Sequence, residues 1–355
     1  MKIGIITFHS AHNYGAMLQT YALKLVCEKM GHKAVVIDYN PAYIQNQYKY
    51  FKITGNMKGD LCKALNLYGN VLKDKRFKEF KNRYFDLTSI DSTEEFDALL
   101  YGSDQIWNPN ISGDFDPFFF GKNDLKTKRN IAYAASLGKQ SLNEAERVKF
   151  ADLISGMNAV SLREESAQKL LQPLCRREAE VTLDPTLLTL KNDWEKITVT
   201  PKFKRPYILV YEVNIIPQTM KTAEALSEKT GLPIVRIMYS RTRLFYNYKT
   251  LNGVGPKEFI GWIKNADFVV TSSFHGTAFS IIFEKNFYTV PHSSYSSRMV
   301  DLLNKLNLSN RLAETLPTEI TDINYENVNK LLNSEREKSL CFIKKSIVTN
   351  KEGLL

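Results

Sequence analysis

From one end of the chain to the other, short apolar runs rich in Val, Ile and Ala alternate with longer segments whose apolar residues fall three and four positions apart. A continuous apolar run of four to six residues is buried on both faces when it becomes a strand. That requires a parallel sheet covered by helices on each side. The first series of such runs is KIGIIT (2–7), KAVVID (33–38), DALLYG (97–102), NIAYAA (130–135), AVSLR (159–163) and VTLD (181–184). The second is YILVYEV (207–213), PIVRIM (233–238), DFVVTS (267–272) and FYTV (287–290). Helices are predicted between them, among others over 15–30, 143–155, 217–230 and 256–265. The polar stretch 192–205 (NDWEKITVTPKFKR) separates the two series, and 355 residues suit two domains of about 150 each. The expected fold class is therefore α/β, with two Rossmann-like domains facing a cleft. The first spans 1–191 and carries a helical insertion at 43–93. The second spans 206–324, and a last helix within 325–355 packs back across a domain. Ligands of such sheets collect beyond the carboxyl ends of the strands.

Several function classes fall away at this stage. No apolar stretch approaches the roughly 18 residues that span a bilayer, and MKIGIITF runs directly into polar HSAHNYG without a signal-peptide core. A cytoplasmic protein is expected. Cys27, Cys62, Cys175 and Cys341 are scattered, which fits neither a zinc site nor a disulfide framework, so reduced thiols and no metal are expected. The formal charge is +10, and residues 43–83 carry +7 of it, so the basicity is local and no nucleic-acid partner is implied. Within 73–85, Lys73, Lys75, Arg76, Lys78, Lys81 and Arg83 interleave with Phe77, Phe80, Tyr84 and Phe85. Two readings stand. In one, an amphipathic helix buries the aromatics and solvates its lysines. In the other, the cations hold the protein peripherally against the anionic inner face of a membrane.

Four segments combine polar chemistry with a position after a strand. In 267–283 (DFVVTSSFHGTAFSIIF), Ser272, Ser273, Gly276 and Thr277 place hydroxyls and backbone N–H groups at a helix start, where the dipole favours a phosphate or carboxylate. His275 beside such an anion suits a general acid, although Ser272 and Ser273 also suit simple helix capping. The loop after the first strand carries His9, His12, Asn13, Tyr14 and Gly15, without the spacing of a dinucleotide motif. YGSDQIWNP (101–109) offers Asp104, Gln105, Trp107 and Asn108, a carboxylate, amides and an indole of the kind that bind sugars. A buried Trp107 within a turn is the competing reading. Arg163, in SLREES, can clamp an anion or form a salt bridge with Glu164 or Glu165.

Taken together, NYGAMLQTYAL, GSDQIWNP, AYAASLG, SLREES, LDPTLL followed by Trp194, GPKEFI, TSSFHGTAFSIIF and SSRMVDLLNKL resemble the polysaccharide pyruvyl transferase family, in the family's order and over about residues 1–310. The resemblance implies a GT-B-like fold and transfer of pyruvate from phosphoenolpyruvate to two hydroxyls of a sugar, forming a ketal in surface polysaccharide biosynthesis. Phosphoenolpyruvate is then a co-substrate and no cofactor is needed. The acceptor would be a lipid-linked oligosaccharide. His275 matches the family's histidine before glycine and would be the acid, with Asp104 as the base. Arg163, Ser272, Ser273, Gly276, Thr277 and Arg298 would bind the donor. Asn13, Tyr14, Gly15, Gln105, Trp107 and Asn108 would bind the acceptor. The family's arginine two residues before the histidine is Ser273 here, so Arg298 or Arg236 would have to supply that charge. Two other readings remain open: a GT-B-like glycosyltransferase using a nucleotide sugar, and a catalytically degenerate saccharide-binding protein.

Overall fold

A computed structural model describes residues 1–47, 57–213, 215–238, 247–291, 297–313, 315–316 and 320–348, with the side chains of 45–47 and 57–65 left aside. Lys49 and Lys52, and the side chains of Lys58, Asp60, Cys62 and Lys63, thus lie outside the described residues. The chain forms two compact units. Unit 1 is Met1–Tyr48, Tyr84–Thr189 and Lys330–Leu355, and unit 2 is Lys49–Arg83 and Leu190–Asn329.

Among the described residues, unit 1 is built on seven strands, β1 (Lys2–Ile6), β2 (Lys33–Ile37), β3 (Leu87–Thr88), β4 (Ala98–Tyr101), β5 (Asn130–Ala135), β6 (Ala159–Leu162) and β7 (Ala179–Val181). All pairings are parallel, in the order β3-β2-β1-β4-β5-β6-β7. Unit 2 has β8 (Ile208–Tyr211), β9 (Ile234–Ile237), β10 (Lys249–Leu251), β11 (Phe268–Thr271) and β12 (Asn286–Thr289), again parallel, in the order β10-β9-β8-β11-β12. Each sheet therefore runs outward in one direction from its first strand, then returns and runs outward in the other. This is the Rossmann-type winding, and each unit has one switch point, between β1 and β4 or between β8 and β11.

The strands lie close to the apolar runs, with one shift. VTLD is not a strand: β7 ends at Val181, and Asp184 instead caps a short helix, Pro185–Leu188, through its bond from the Thr186 N–H at 2.9 Å. An aspartate followed by proline starts a helix better than it continues a strand.

Two assignments to domains differ from expectation. Residues 49–83 of the segment 43–93 group with unit 2 rather than forming an insertion in the first domain. The helix Met57–Tyr84 meets the 252–258 region there: the Arg76 guanidinium donates to the Gly253 carbonyl at 2.8 Å and lies 3.4 Å from Glu258. Gly69 packs so closely on Asn252 that a Cβ would sit 2.6 Å from its side chain. The boundary itself falls at Thr189, ahead of the polar 192–205 stretch, because Trp194 is fully buried edge-on against Phe279 of unit 2. Within unit 1 the last helix, Tyr325–Ile347, presents the Ser339 hydroxyl to the Leu183 N–H (2.9 Å) and the Arg336 Nε to the Leu187 carbonyl (2.6 Å).

In the basic stretch Phe77 and Phe80 are buried, and so is Lys73, which removes it from the surface set expected at 73–85. Lys73 stands 5.5 Å from the Phe77 ring, and burial pushes its ammonium down to about 7. Among the described residues no helix is long and apolar enough to cross a membrane.

Candidate active site

At the switch point of unit 2, β8 leads into Glu212 and β11 into Ser272. The turn after β11 is fastened by hydroxyls. The Thr271 hydroxyl donates to the Tyr211 carbonyl (2.7 Å) and accepts from the Ser273 N–H (3.1 Å). Ser273 then caps the helix Phe274–Ile282, its Oγ accepting from the Gly276 N–H at 3.4 Å. Gly276 is required by space, since a Cβ there would lie 2.2 Å from Thr271 Oγ1. The result holds His275 in the first turn of a helix whose positive dipole end lies beyond the carboxyl end of the sheet. Its ring meets Phe274 edge-on, with 7% of the residue exposed.

Not every hydroxyl expected here faces outward. Thr277 is fully buried, donates to the Ser273 carbonyl (3.1 Å) and shares a hydrogen bond with Thr289 Oγ1 (2.8 Å). Its hydroxyl is thus spent inside the fold, bracing the turn, whereas the sequence reading has it bind the donor. Ser273 holds the turn as a cap, and Ser272 is half-buried. Of the two arginines considered for the missing charge, Arg236 is buried at the end of β9, bonded to Glu212 and to the Tyr248 hydroxyl (2.8 Å). Arg298, second residue of the helix Ser297–Lys305, is half-exposed.

At the switch point of unit 1, a buried polar network links the ends of β1, β4 and β6. The Thr7 hydroxyl donates to the Ser103 carbonyl (2.9 Å), Gln19 Nε2 donates to Thr7 Oγ1 (2.8 Å), and the Ser103 N–H donates to Gln19 Oε1 (3.2 Å). Ser103 Oγ lies 3.0 Å from Asp184 Oδ2 and accepts from Arg163 Nη2. Arg163 Nη2 is 3.1 Å from Asp184 Oδ2 and 3.9 Å from Asp104 Oδ1. The Arg163 and Asp184 side chains are 1% and 0% exposed, whereas that of Asp104 is 15% exposed. Arg163 is thus an internal tie between a buried carboxylate and a more open one. This corrects the expectation of a guanidinium presented to an anion. Glu164 accepts from the Ser136 hydroxyl (2.8 Å).

The loop that carries Asp104 is sterically demanding. Gly102 has φ +122° and packs where a Cβ would lie 2.2 Å from the Tyr133 carbonyl oxygen, and Asp104 itself has φ 76°. The Asp104 carboxylate accepts from the Gln105 N–H at 2.9 Å, and its more open position leaves it the network's one group able to reach a ligand from this loop's base.

The residues expected to bind an acceptor separate into core and rim. Trp107 is 1% exposed, donates to the Phe119 carbonyl (3.1 Å), stacks on Phe120 and meets Phe150 edge-on. It is a core residue and offers no stacking platform. Tyr14 and Gly15 are buried in the helix Tyr14–Lys29, whose cap is Asn13, with Oδ1 accepting from the Gly15 N–H (2.9 Å). Asn108 is 3% exposed and caps the next turn by accepting from the Asn110 N–H (3.0 Å). Gln105 alone of the loop pairs a half-buried position with a buried Nε2 that has no hydrogen-bond partner.

Sequence reasoning passed over Thr7, Gln19, Ser103, Asp184 and Glu212. Asp184 carried a readable sign, the Asp-Pro-Thr of a helix start. The others are single polar residues at strand ends or within an apolar helix, and only the folded chain brings them together.

The chain matches the family described as polysaccharide pyruvyl transferase over residues 13–294. No curated protein matches it. Among solved structures it is similar to the MnaA–UDP complex of S. aureus, with 14% identity, TM-score 0.48, and coverage of 97% of this chain and 91% of that one. It is similar also to a UDP-N-acetylglucosamine 2-epimerase from Rickettsia bellii (12% identity, TM-score 0.48, 98% and 96% covered). A third is the UDP-GlcNAc-bound 2-epimerase of Neisseria meningitidis (11% identity, TM-score 0.48, 99% and 95% covered). The family match spans the capped helix at Asn13, the Asp104 loop, Arg163, Asp184 and the His275 turn alike, and the chain belongs to the polysaccharide pyruvyl transferase family.

Proposed function

We propose that the protein transfers pyruvate from phosphoenolpyruvate to two hydroxyls of a sugar, giving a cyclic ketal and inorganic phosphate, with a lipid-linked oligosaccharide as the acceptor. The observation that carries this reading is His275 in the first turn of a helix at the switch point of unit 2, within a family match covering 13–294. The chemistry needs a proton on the enol methylene as a hydroxyl oxygen bonds to the adjacent carbon. A second hydroxyl oxygen then displaces phosphate at that carbon. The two hydroxyl protons balance as one on the new methyl group and one on the departing phosphate. His275 supplies the proton to the methylene, and the helix N-terminus and Arg298 attract the donor's anionic groups. Asp104, oriented by the Gln105 N–H and by Arg163, accepts the proton of the attacking hydroxyl. Arg163 is here a positioning residue.

Incubation with phosphoenolpyruvate and a sugar diol tests the reading by phosphate release. Release of a nucleotide from a nucleotide sugar, with phosphoenolpyruvate inert, would assign the protein to glycosyl transfer, and no turnover of either would favour a binding protein. His275→Ala should lower kcat by at least about 100-fold with the fold retained, as removal of a general acid does. Unchanged turnover in that folded variant would take His275 out of the mechanism.

A further inference from the structure

Among the described side chains of the helix Met57–Tyr84, from Asn66 onward, one apolar face is buried and another is exposed. Phe77, Phe80, Asn66 and Lys73 are buried on one side. On the other, Leu67 is 42% exposed, Tyr68 79% and Val71 60%, and the Lys75 and Lys78 side chains are 69% and 67% exposed. At 100° per residue, these five side chains point within roughly 60° of a common direction. Lys81 and Arg83 flank the stripe, one on each side. Asp74 and Glu79 pair with Lys78 (2.8 Å) and Lys75 (3.8 Å), so four cations and two carboxylates leave a net charge of +2.

We infer that this stripe is a docking surface for an anionic lipid membrane. Its charge is complementary to such a surface, and its apolar half carries the residue types that enter the headgroup boundary: a tyrosine with a polar tip and two aliphatic side chains. The lysines suit a lipid surface, where long stems lie along apolar groups while ammonium heads stay hydrated. They suit a protein partner poorly, since lysine is depleted in protein–protein interfaces. Contact through Tyr68 and Val71 lays the helix flat on the membrane, with nothing spanning it. The inference rests on the helix and is independent of which donor the active site uses.

The test is co-sedimentation of the full chain with vesicles of phosphatidylcholine alone or mixed with phosphatidylglycerol. Binding is expected on the mixed vesicles at low salt, with loss as salt rises to about 0.5 M and the Debye length contracts. Lys75→Gln with Lys78→Gln should weaken binding about 25-fold, roughly fivefold per charge. Tyr68→Gln with Val71→Gln should weaken it while leaving the salt dependence in place. Phosphate release with a water-soluble acceptor should be unchanged in both variants, and circular dichroism confirms that each is folded. No binding to the mixed vesicles at low salt would overturn the inference, as would binding indifferent to both pairs of substitutions. Concentration-dependent dimerisation abolished by Tyr68→Gln with Val71→Gln, in the absence of vesicle binding, would reassign the stripe to self-association.

Discussion

Asp184→Asn removes a charge while keeping the shape of the side chain and the oxygen that caps the helix Pro185–Leu188. The partner left behind is Arg163, whose side chain is 1% exposed and which lies 3.9 Å from the more open Asp104. Breaking a buried ion pair from one side costs about 3–5 kcal/mol, because the surviving charge stays desolvated. Asp184→Ala loses in addition the acceptor for the Thr186 N–H and hydroxyl, so a further ~1 kcal/mol is expected. Arg163→Met should cost as much as Asp184→Asn, since it leaves the carboxylate unpaired. The double variant Arg163→Met with Asp184→Asn should be more stable than either single variant, because no unpaired charge remains. The chain has three tryptophans, and only Trp107 belongs to unit 1, so replacing Trp194 and Trp262 by Phe makes its emission a reporter of that unit alone. Urea unfolding gives the energies, and the thermal midpoint should fall by about 6–20 °C at roughly 2–4 °C per kcal/mol. Single substitutions costing under about 1 kcal/mol, and adding simply in the double variant, would refute the reasoning.

Lys73 predicts a pH dependence in unit 2. Its folded value of about 7 lies below the unfolded one, so between pH 7 and 10 the unfolded state binds more protons and stability rises with pH. From pH 7 to 9 the wild-type chain should gain up to about 2 kcal/mol more than Lys73→Met in urea unfolding, and parallel pH profiles would contradict this. Trp107→Phe should cost unit 1 about 1–3 kcal/mol by leaving the Phe119 carbonyl without its donor, while the acceptor KM stays unchanged. A raised KM with unaltered stability would restore the indole to the binding surface.

The architecture was legible because burial on both faces of a parallel sheet forces continuous apolar runs, and among the described residues those runs match nine of the twelve strands within a residue or two, while VTLD touches β7 only at Val181. The other exceptions, Leu87–Thr88 and Lys249–Leu251, are short sheet-edge strands of two and three residues with too little apolar character to register. The His275 turn was legible as strand, hydroxyls and helix start, all local. Trp107 was harder, because what buries it arrives from elsewhere: Phe120 and Phe150 come 13 and 43 residues later. Arg163 was expected to meet an anion or an adjacent glutamate, and a partner it does have, Asp184, lies beyond another strand. Partners distant in sequence leave no periodicity to read, so the pairings escaped while the strand ends that carry them did not.

Unit 1 is assembled from three stretches of chain, the last beginning at Lys330. During synthesis, its two earlier stretches, complete at Thr189, must therefore wait while the 140 residues that follow are added before the closing helix can dock beside Leu183 and Leu187. At 5–20 residues per second this delay is roughly 7–28 s. Unit 1 is thus the last to be completed, and a ribosome that stops short of Arg336 releases a chain in which the Leu183 N–H and the Leu187 carbonyl lack these partners. Loss of the closing helix would therefore strike the part of the molecule that was made first.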